Sequence, residues 1–207
     1  MPPRTPPACW SCATPVALLE GDASALTCAA CGVVLQPDPQ ATPFARLGLP
    51  LRFDVEDQQL ERAWLLRSSK VHPDRFVKKT DRERRFAVEQ TAALNDAKRA
   101  IQDLFDRASW LVRHGGIVDG PLDQRLLMSL MEARERAEES ASDKQAVVDE
   151  SVARYRVLAS SLAPLLISVD DKPSLAKAAR ALAEMKTLAR LVADLRGPHL
   201  IATLDGR

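Results

Sequence analysis

Val71-His72-Pro73-Asp74-Arg75-Phe76 stands between two helix-length segments rich in Lys and Arg. Pro73 biases His72 away from the helical region and ends the first helix. Asp74 is left on a tight, exposed connection flanked by Arg75, Lys78 and Lys79. A carboxylate there is poorly placed to build a core and well placed to meet a partner's arginine. Taken alone, the tripeptide is equally an ordinary helix-loop-helix corner with an Asp in its turn, so the flanks have to decide.

Upstream, Asp54 is a candidate N-cap with Asp57 three residues on. Leu60, Ala63, Trp64 and Val71 then share one helical face, a stripe that Arg67 interrupts. Downstream, a helix beginning near Asp81 carries Phe86, Ala93, Leu94, Ala97, Ile101, Leu104 and Phe105. The expected core is an antiparallel pair closed by Phe44, Leu47 and Leu49. From Arg62 to Arg85 nine cationic residues face three carboxylates, a local surplus of six. Such a run is either a solvated face or a salt-sensitive docking surface for an acidic partner.

The chain has 207 residues and a net charge of +1, so wholesale nucleic-acid binding is not implied. Ala, Leu, Arg and Glu dominate and aromatics make up only 4%, a helical composition. No apolar run reaches the roughly 18 residues of a membrane span. The Pro-rich start reads as neither a secretory signal nor a transit peptide, which points to the cytoplasm. Proline and glycine punctuation divides the chain. Residues 1–36 hold a Pro-rich lead and all four cysteines, and 37–43 form a stiff linker. The basic helical unit runs from 44 to 116, three further helices occupy 121–196, and 197–207 form a tail.

In the middle unit the segments Phe44-Ala-Arg-Leu-Gly-Leu-Pro50 and Val71-His-Pro-Asp-Arg-Phe76 resemble a J-domain. The version is similar to that of the HscB-type co-chaperones of iron–sulfur cluster assembly. Leu94-Asn-Asp-Ala-Lys98 with Asp106-Arg-Ala-Ser-Trp-Leu111, and Leu127-Met-Ser-Leu-Met-Glu-Ala-Arg-Glu135, resemble later segments of that family in the same order. The resemblance implies docking on an ATP-bound DnaK- or HscA-type chaperone and stimulation of its ATPase. Asp74 would be the anionic contact, His72 and Pro73 would shape the loop, and Arg62, Lys70 and Arg75 would supply attraction. Two positions depart from the common pattern, Val71 where Tyr is usual and Arg75 where Lys is usual. Neither removes the carboxylate.

The helix from Leu122 supports a separate reading. With Leu122 at 0°, Leu126, Leu130, Ala133 and Ala137 fall within about 20–80°, an adequate core stripe. Leu127, Met128 and Met131 fall near roughly 140°, 240° and 180°, on the far side, with Glu132, Glu135 and Glu139 among or beside them. Apolar residues beyond those a core needs, rimmed by acids, form a partner-binding pattern, unless both faces are buried. HscB-type proteins use this stretch to hold an IscU-type scaffold. The resemblance therefore assigns Leu127, Met128, Met131, Glu132, Arg134, Glu135 and Glu139 to that role. Thr187 aligns with a position where some relatives place an aromatic. Val148, Val152, Tyr155, Leu158, Leu162 and Leu165, and then Leu175, Ala178, Leu182, Met185, Ala189 and Val192, read as bundle core. Pro164 should end or kink its helix.

Cys9-x-x-Cys12 and Cys28-x-x-Cys31-Gly32, fifteen residues apart, have the spacing of a tetrahedral four-thiolate site. One structural zinc ion is the expectation, ahead of rubredoxin-type iron and of redox thiols. Residues 9–36 contain no Lys or Arg, which argues against a phosphate-binding ribbon. Some HscB-type proteins carry such an extension.

The expected fold is therefore all-α: a J-domain hairpin and a three-helix bundle, preceded by a small zinc ribbon. The expected function is a non-enzymatic co-chaperone that brings the scaffold to its ATPase partner, without nucleic acid or membrane. The alternatives are a J-domain co-chaperone of another client pathway and a zinc-ribbon regulator that binds nucleic acid. No Gly-rich phosphate loop or catalytic triad is present, and His114 and His199 read as surface histidines.

Overall fold

The computed structural model describes residues 7–16, 24–118 and 124–196. The Pro-rich lead before Pro7, Gly120-Pro121, Leu122 and the tail after Arg196 lie outside them. The regular elements are α1 (Pro43–Leu47), α2 (Asp57–Val71), a 3-10 turn (Pro73–Phe76), α3 (Asp81–Gln102), α4 (Leu104–His114), α5 (Gln124–Glu139), α6 (Ala141–Leu165) and α7 (Lys172–Arg196). Among the described residues, β pairing is confined to the isolated antiparallel bridges Ala8–Pro15 and Thr27–Val34. The all-α expectation is met. No described helix is long and apolar enough to cross a membrane.

By contact the chain forms two compact units, Met1–Asp103 and Leu104–Arg207. In the first, α3 is the long element against which α1, α2 and the 3-10 turn pack. α1 is set by its ends. Thr42 Oγ1 accepts from the Ala45 N–H at 3.0 Å, Pro43 opens the helix, and Gly48 (φ 66°) closes it in the left-handed conformation. α2 begins later than expected. Its N-cap is Glu56, without a side-chain cap, and Asp54 instead lies 3.4 Å from Arg52. Val55, buried and bonded through its N–H to Phe53 O at 2.9 Å, holds this approach non-helical. α3 opens on a reciprocal capping box. The Glu83 N–H donates to Thr80 Oγ1 and the Thr80 N–H donates to Glu83 Oε2. Phe44, Leu47, Leu49, Leu60, Val71, Phe86, Leu94, Ala97 and Ile101 form its buried apolar set.

The helix expected to run through Phe105 is broken at Asp103, whose extended backbone (φ −82°, ψ 142°) separates α3 from α4. In the second unit α4 packs on α7, whereas the sequence reading carries the first helical unit on to 116. Ser140 caps α6 through the Asp143 N–H at 3.1 Å. α6 stops one residue after Pro164, with the Leu166 N–H donating to Leu162 O. Val148, Tyr155, Leu158 and Leu162 face Leu175, Ala178, Leu182, Met185 and Val192 as buried core. Val152, Leu165 and Ala189 are half-buried. Gly115 lies where α7 approaches the end of α4, and the Lys172 ammonium donates to its carbonyl.

Candidate functional site

Three groups of residues carry chemistry. The first is the turn after α2. Val71 and Phe76 are both buried and anchor it on either side. Between them His72, Asp74 and Arg75 are exposed, and the Asp74 side chain keeps 87% of its surface in solvent. His72 Nδ1 accepts from the Asp74 N–H at 3.4 Å and lies 3.5 Å from Asp74 Oδ2. The Arg75 N–H donates to His72 O at 3.0 Å, and Arg75 Nη1 donates to Ser69 O at 3.3 Å. The Val71 carbonyl accepts from the Thr91 hydroxyl at 3.4 Å. The carboxylate is thus presented on a short turn whose flanks are fixed. Arg62 and Lys70 are exposed along α2.

Not every cation of the run faces solvent. Arg67, which broke the apolar stripe, is half-buried and donates to the Ser24 carbonyl of the cysteine-bearing segment. Burial lowers its pKa from the ordinary value. Arg82 stacks over Trp10, its guanidinium 4.6 Å from the ring centroid.

The second group is on α5. Leu130, Ala133 and Ala137 pack with Val147 of α6 and Leu191 of α7. Leu127, Met128 and Met131 are exposed, at 44%, 56% and 64%, and Glu132, Arg134, Glu135 and Glu139 are exposed with them. A groove of about 220 Å³ runs between α5 and α7, lined by Leu127, Leu130, Met131, Arg134, Thr187, Arg190, Leu191 and Asp194. Met128, Glu132, Glu135 and Glu139 are not among its lining residues. The sequence reading named Thr187 only as a substituted position. Arg190 and Asp194 were missed because they lie in a regular bundle helix with no local mark. Their separation of four residues from each other would place them on one face.

The third group is the four cysteines. Their sulfurs all lie within 4.8 Å of one another, with Cys9–Cys31 and Cys12–Cys28 both at 3.7 Å. Four thiolates around a metal with bonds of about 2.3 Å stand roughly 3.8 Å apart, so the donor set fits a tetrahedral ion. The two knuckles are built alike. The Ala13 N–H donates to Cys9 O and the Gly32 N–H to Cys28 O, at 2.9 and 2.8 Å. Ala13 (φ 57°) and Gly32 (φ 76°) both turn left-handed after the second sulfur. Only the second turn is signalled by a glycine. Backbone N–H groups of Cys12 and Ser11 lower the Cys9 pKa. The Thr14 hydroxyl, then its backbone N–H, hold Cys12 at about 6. The Val33 N–H would lower Cys31, but burial and the three neighbouring sulfurs push it up to about 12.

The ribbon rests on the hairpin. Trp10 meets Phe86 edge-on, with ring centroids 6.1 Å apart. Gln90 Nε2 donates to Leu35 O at 2.9 Å, and the Ser24 N–H donates to Ala45 O at 2.8 Å. The linker is pinned as well, with Arg46 Nη2 donating to Asp38 O at 2.5 Å. His114 is exposed and stacks on Trp110 at 4.6 Å, while His199 lies outside the described residues.

No family model matches the chain. A co-chaperone protein HscB homolog of Bordetella petrii is 34% identical over 161 residues, covering 73% of this chain and 92% of that protein. The homolog of Burkholderia thailandensis is 30% identical over 162 residues, covering 73% and 90%. The crystal structure of the human co-chaperone protein HscB superposes with a TM-score of 0.76 over 92% of this chain and 97% of that one, at 20% identity, a likeness of fold. The chaperone HscB from Vibrio cholerae superposes with a TM-score of 0.61 over 74% and 94%, at 28% identity. With the exposed His72-Pro73-Asp74 turn, the exposed apolar face of α5 and this extent of matching sequence, the chain belongs to the HscB family of co-chaperones.

Proposed function

We propose that the protein docks on an ATP-loaded DnaK- or HscA-type chaperone, stimulates its ATPase, and delivers to it an IscU-type iron–sulfur scaffold. The observation that carries the reading is the Asp74 carboxylate, 87% exposed on a turn anchored by buried Val71 and Phe76. Arg62, Lys70 and Arg75 attract an acidic surface, and Asp74 pairs with an arginine on it. The scaffold is held by Leu127, Met128 and Met131 with Glu132, Arg134, Glu135 and Glu139. The four cysteines hold one structural zinc ion. The protein acts in the cytoplasm as an adaptor. Hydrolysis takes place in the partner, and this chain supplies no catalytic group.

Steady-state ATPase of a DnaK-class chaperone, with and without an IscU-type scaffold, tests the proposal. Stimulation is expected with the protein, to rise further with scaffold, and to vanish with Asp74→Asn. A folded Asp74→Asn variant that still stimulates overturns it. Stimulation without scaffold synergy leaves docking in place and removes the scaffold.

A further inference from the structure

We propose that Trp10 is a positioning residue through which a metal held by the four cysteines braces the helical hairpin that carries the His72–Asp74 turn. Trp10 sits inside the first knuckle, between Cys9 and Cys12, so its backbone is fixed when those two sulfurs share an ion. Its indole N–H donates to the Val34 carbonyl at 2.8 Å, beyond the second knuckle. The ring is thereby tied to both arms of the ribbon.

The same ring touches α3. Phe86, which Trp10 meets edge-on at 6.1 Å and 73°, is buried one turn beyond the Thr80–Glu83 capping box. That box terminates the segment that begins at His72. Arg82, in the first turn of α3, lies over the indole at 4.6 Å. Metal, Trp10, the start of α3 and the turn are consecutive links in one packed series.

Three further bonds make the ribbon part of the unit. Arg67 of α2 and the Ala45 carbonyl of α1 both bond Ser24, before the second knuckle. Gln90 of α3 bonds Leu35, after it. Arg67 occupies a face of α2 where the periodicity asks for an apolar residue, and its Nε is buried without a partner. A guanidinium placed there keeps its Ser24 acceptor only while the ribbon is docked. Losing the ion frees both knuckle backbones, withdraws Trp10 from Phe86 and loosens the first turns of α3. Linkage requires the converse, that the hairpin helps the ribbon retain its metal.

The brace itself is independent of the proposed chaperone docking. Its effect on docking rests on that reading. Amide hydrogen exchange on the full chain, metal-loaded and then chelated, tests the brace. Chelation should speed exchange across Arg84–Leu94 on the order of tenfold, as local opening becomes easier, and leave α6 and α7 unchanged. Trp10→Ala should already exchange at the faster rate with metal bound, and chelation should add nothing further. Trp10→Phe should restore part of the protection. Arg67→Leu completes the apolar stripe of α2 and keeps the hairpin folded, yet should speed zinc loss to a chromogenic chelator several-fold.

Unchanged α3 exchange on chelation overturns the proposal, as does a Trp10→Ala protein that responds to chelation like the parent. If Trp10→Ala binds no metal, the Arg67→Leu rate of zinc loss decides, and a parental rate overturns the brace. Loosened α3 with chaperone stimulation intact keeps the brace and removes its link to docking. Loosened α3 in a parent that never stimulates counts against docking alone.

Discussion

Arg134 of α5 and Asp194 of α7 face each other across the groove between their helices, Nη1 lying 3.9 Å from Oδ2. Both side chains are largely exposed, so the pair itself adds little stability, about 0–1 kcal/mol. The apolar Leu127 and Met131 that line the same groove stay exposed beside it.

Met128→Ala combined with Met131→Ala should therefore weaken scaffold binding by roughly 1–4 kcal/mol, the range of truncated interface anchors. Neither side chain is buried, so the melting temperature should stay within a degree or two of the parent. Titration calorimetry and a thermal melt separate the two effects. Unchanged affinity with a lowered melt would place both residues in the core.

Thr80→Ala removes the hydroxyl that accepts from the Glu83 N–H at 3.3 Å and donates to the buried Glu83 carboxylate at 2.9 Å, leaving that carboxylate only the residue-80 backbone N–H. Loss of an N-cap costs about 0.5–2 kcal/mol. Denaturant unfolding should show this loss. Thr80→Ser, which keeps the acceptor, should recover most of it.

Gly115→Ala is expected to be costly for steric reasons. A Cβ there would collide with Leu175 Cδ1 and lie 2.9 Å from the Val169 carbonyl. Overpacking of this kind costs about 1–3 kcal/mol. Thermal denaturation checks it, and an unaffected melt would show that α7 can shift away from α4 at no expense.

Metal retention should fall as pH falls, because an ion needs thiolates and protons compete for the sulfurs. Loading at neutral pH therefore displaces protons from the thiols that are still protonated there, Cys31 among them, its pKa pushed up to about 12. Zinc release followed by a chromogenic chelator between neutral and acidic pH measures this, and a pH-independent release would exclude thiolate ligation. Cys28→Ser should abolish stoichiometric binding. Because the ribbon rests on α3, it should also lower the stability of the hairpin, where a freely swinging module would leave it untouched.

The helices were legible in the sequence because their core stripes repeat at three and four residues and several of their stops, as at Gly48, Pro73 and Pro164, are glycine or proline. Pro164 ends α6 as its lost N–H requires, and the separation of Leu130, Ala133 and Ala137 from Leu127, Met128 and Met131 follows from the wheel. The missed features are those where a local rule yields to a distant contact. Asp54 is a good cap by type, but Val55 anchors the chain two residues ahead of the helix. Arg67 looks like a flaw in a stripe until Ser24, 43 residues earlier, supplies its acceptor. Ala13 turns left-handed without the glycine that marks its counterpart. Arg190 and Asp194 line the groove only because α7 returns beside α5.

The bond from Gln90 to Leu35 spans 55 residues, which has a consequence for biosynthesis. Domains form from the N-terminal side as a chain is made, at about 5–20 residues per second. The knuckles leave the ribosome while the helix they rest on is still being translated. For those seconds the nascent thiols must find their ion with only their own two turns to hold it, exposed to competing metals and oxidants. Translation speed through α3 then sets how long this window stays open, and slowing codons there should lower the metal content of newly made protein.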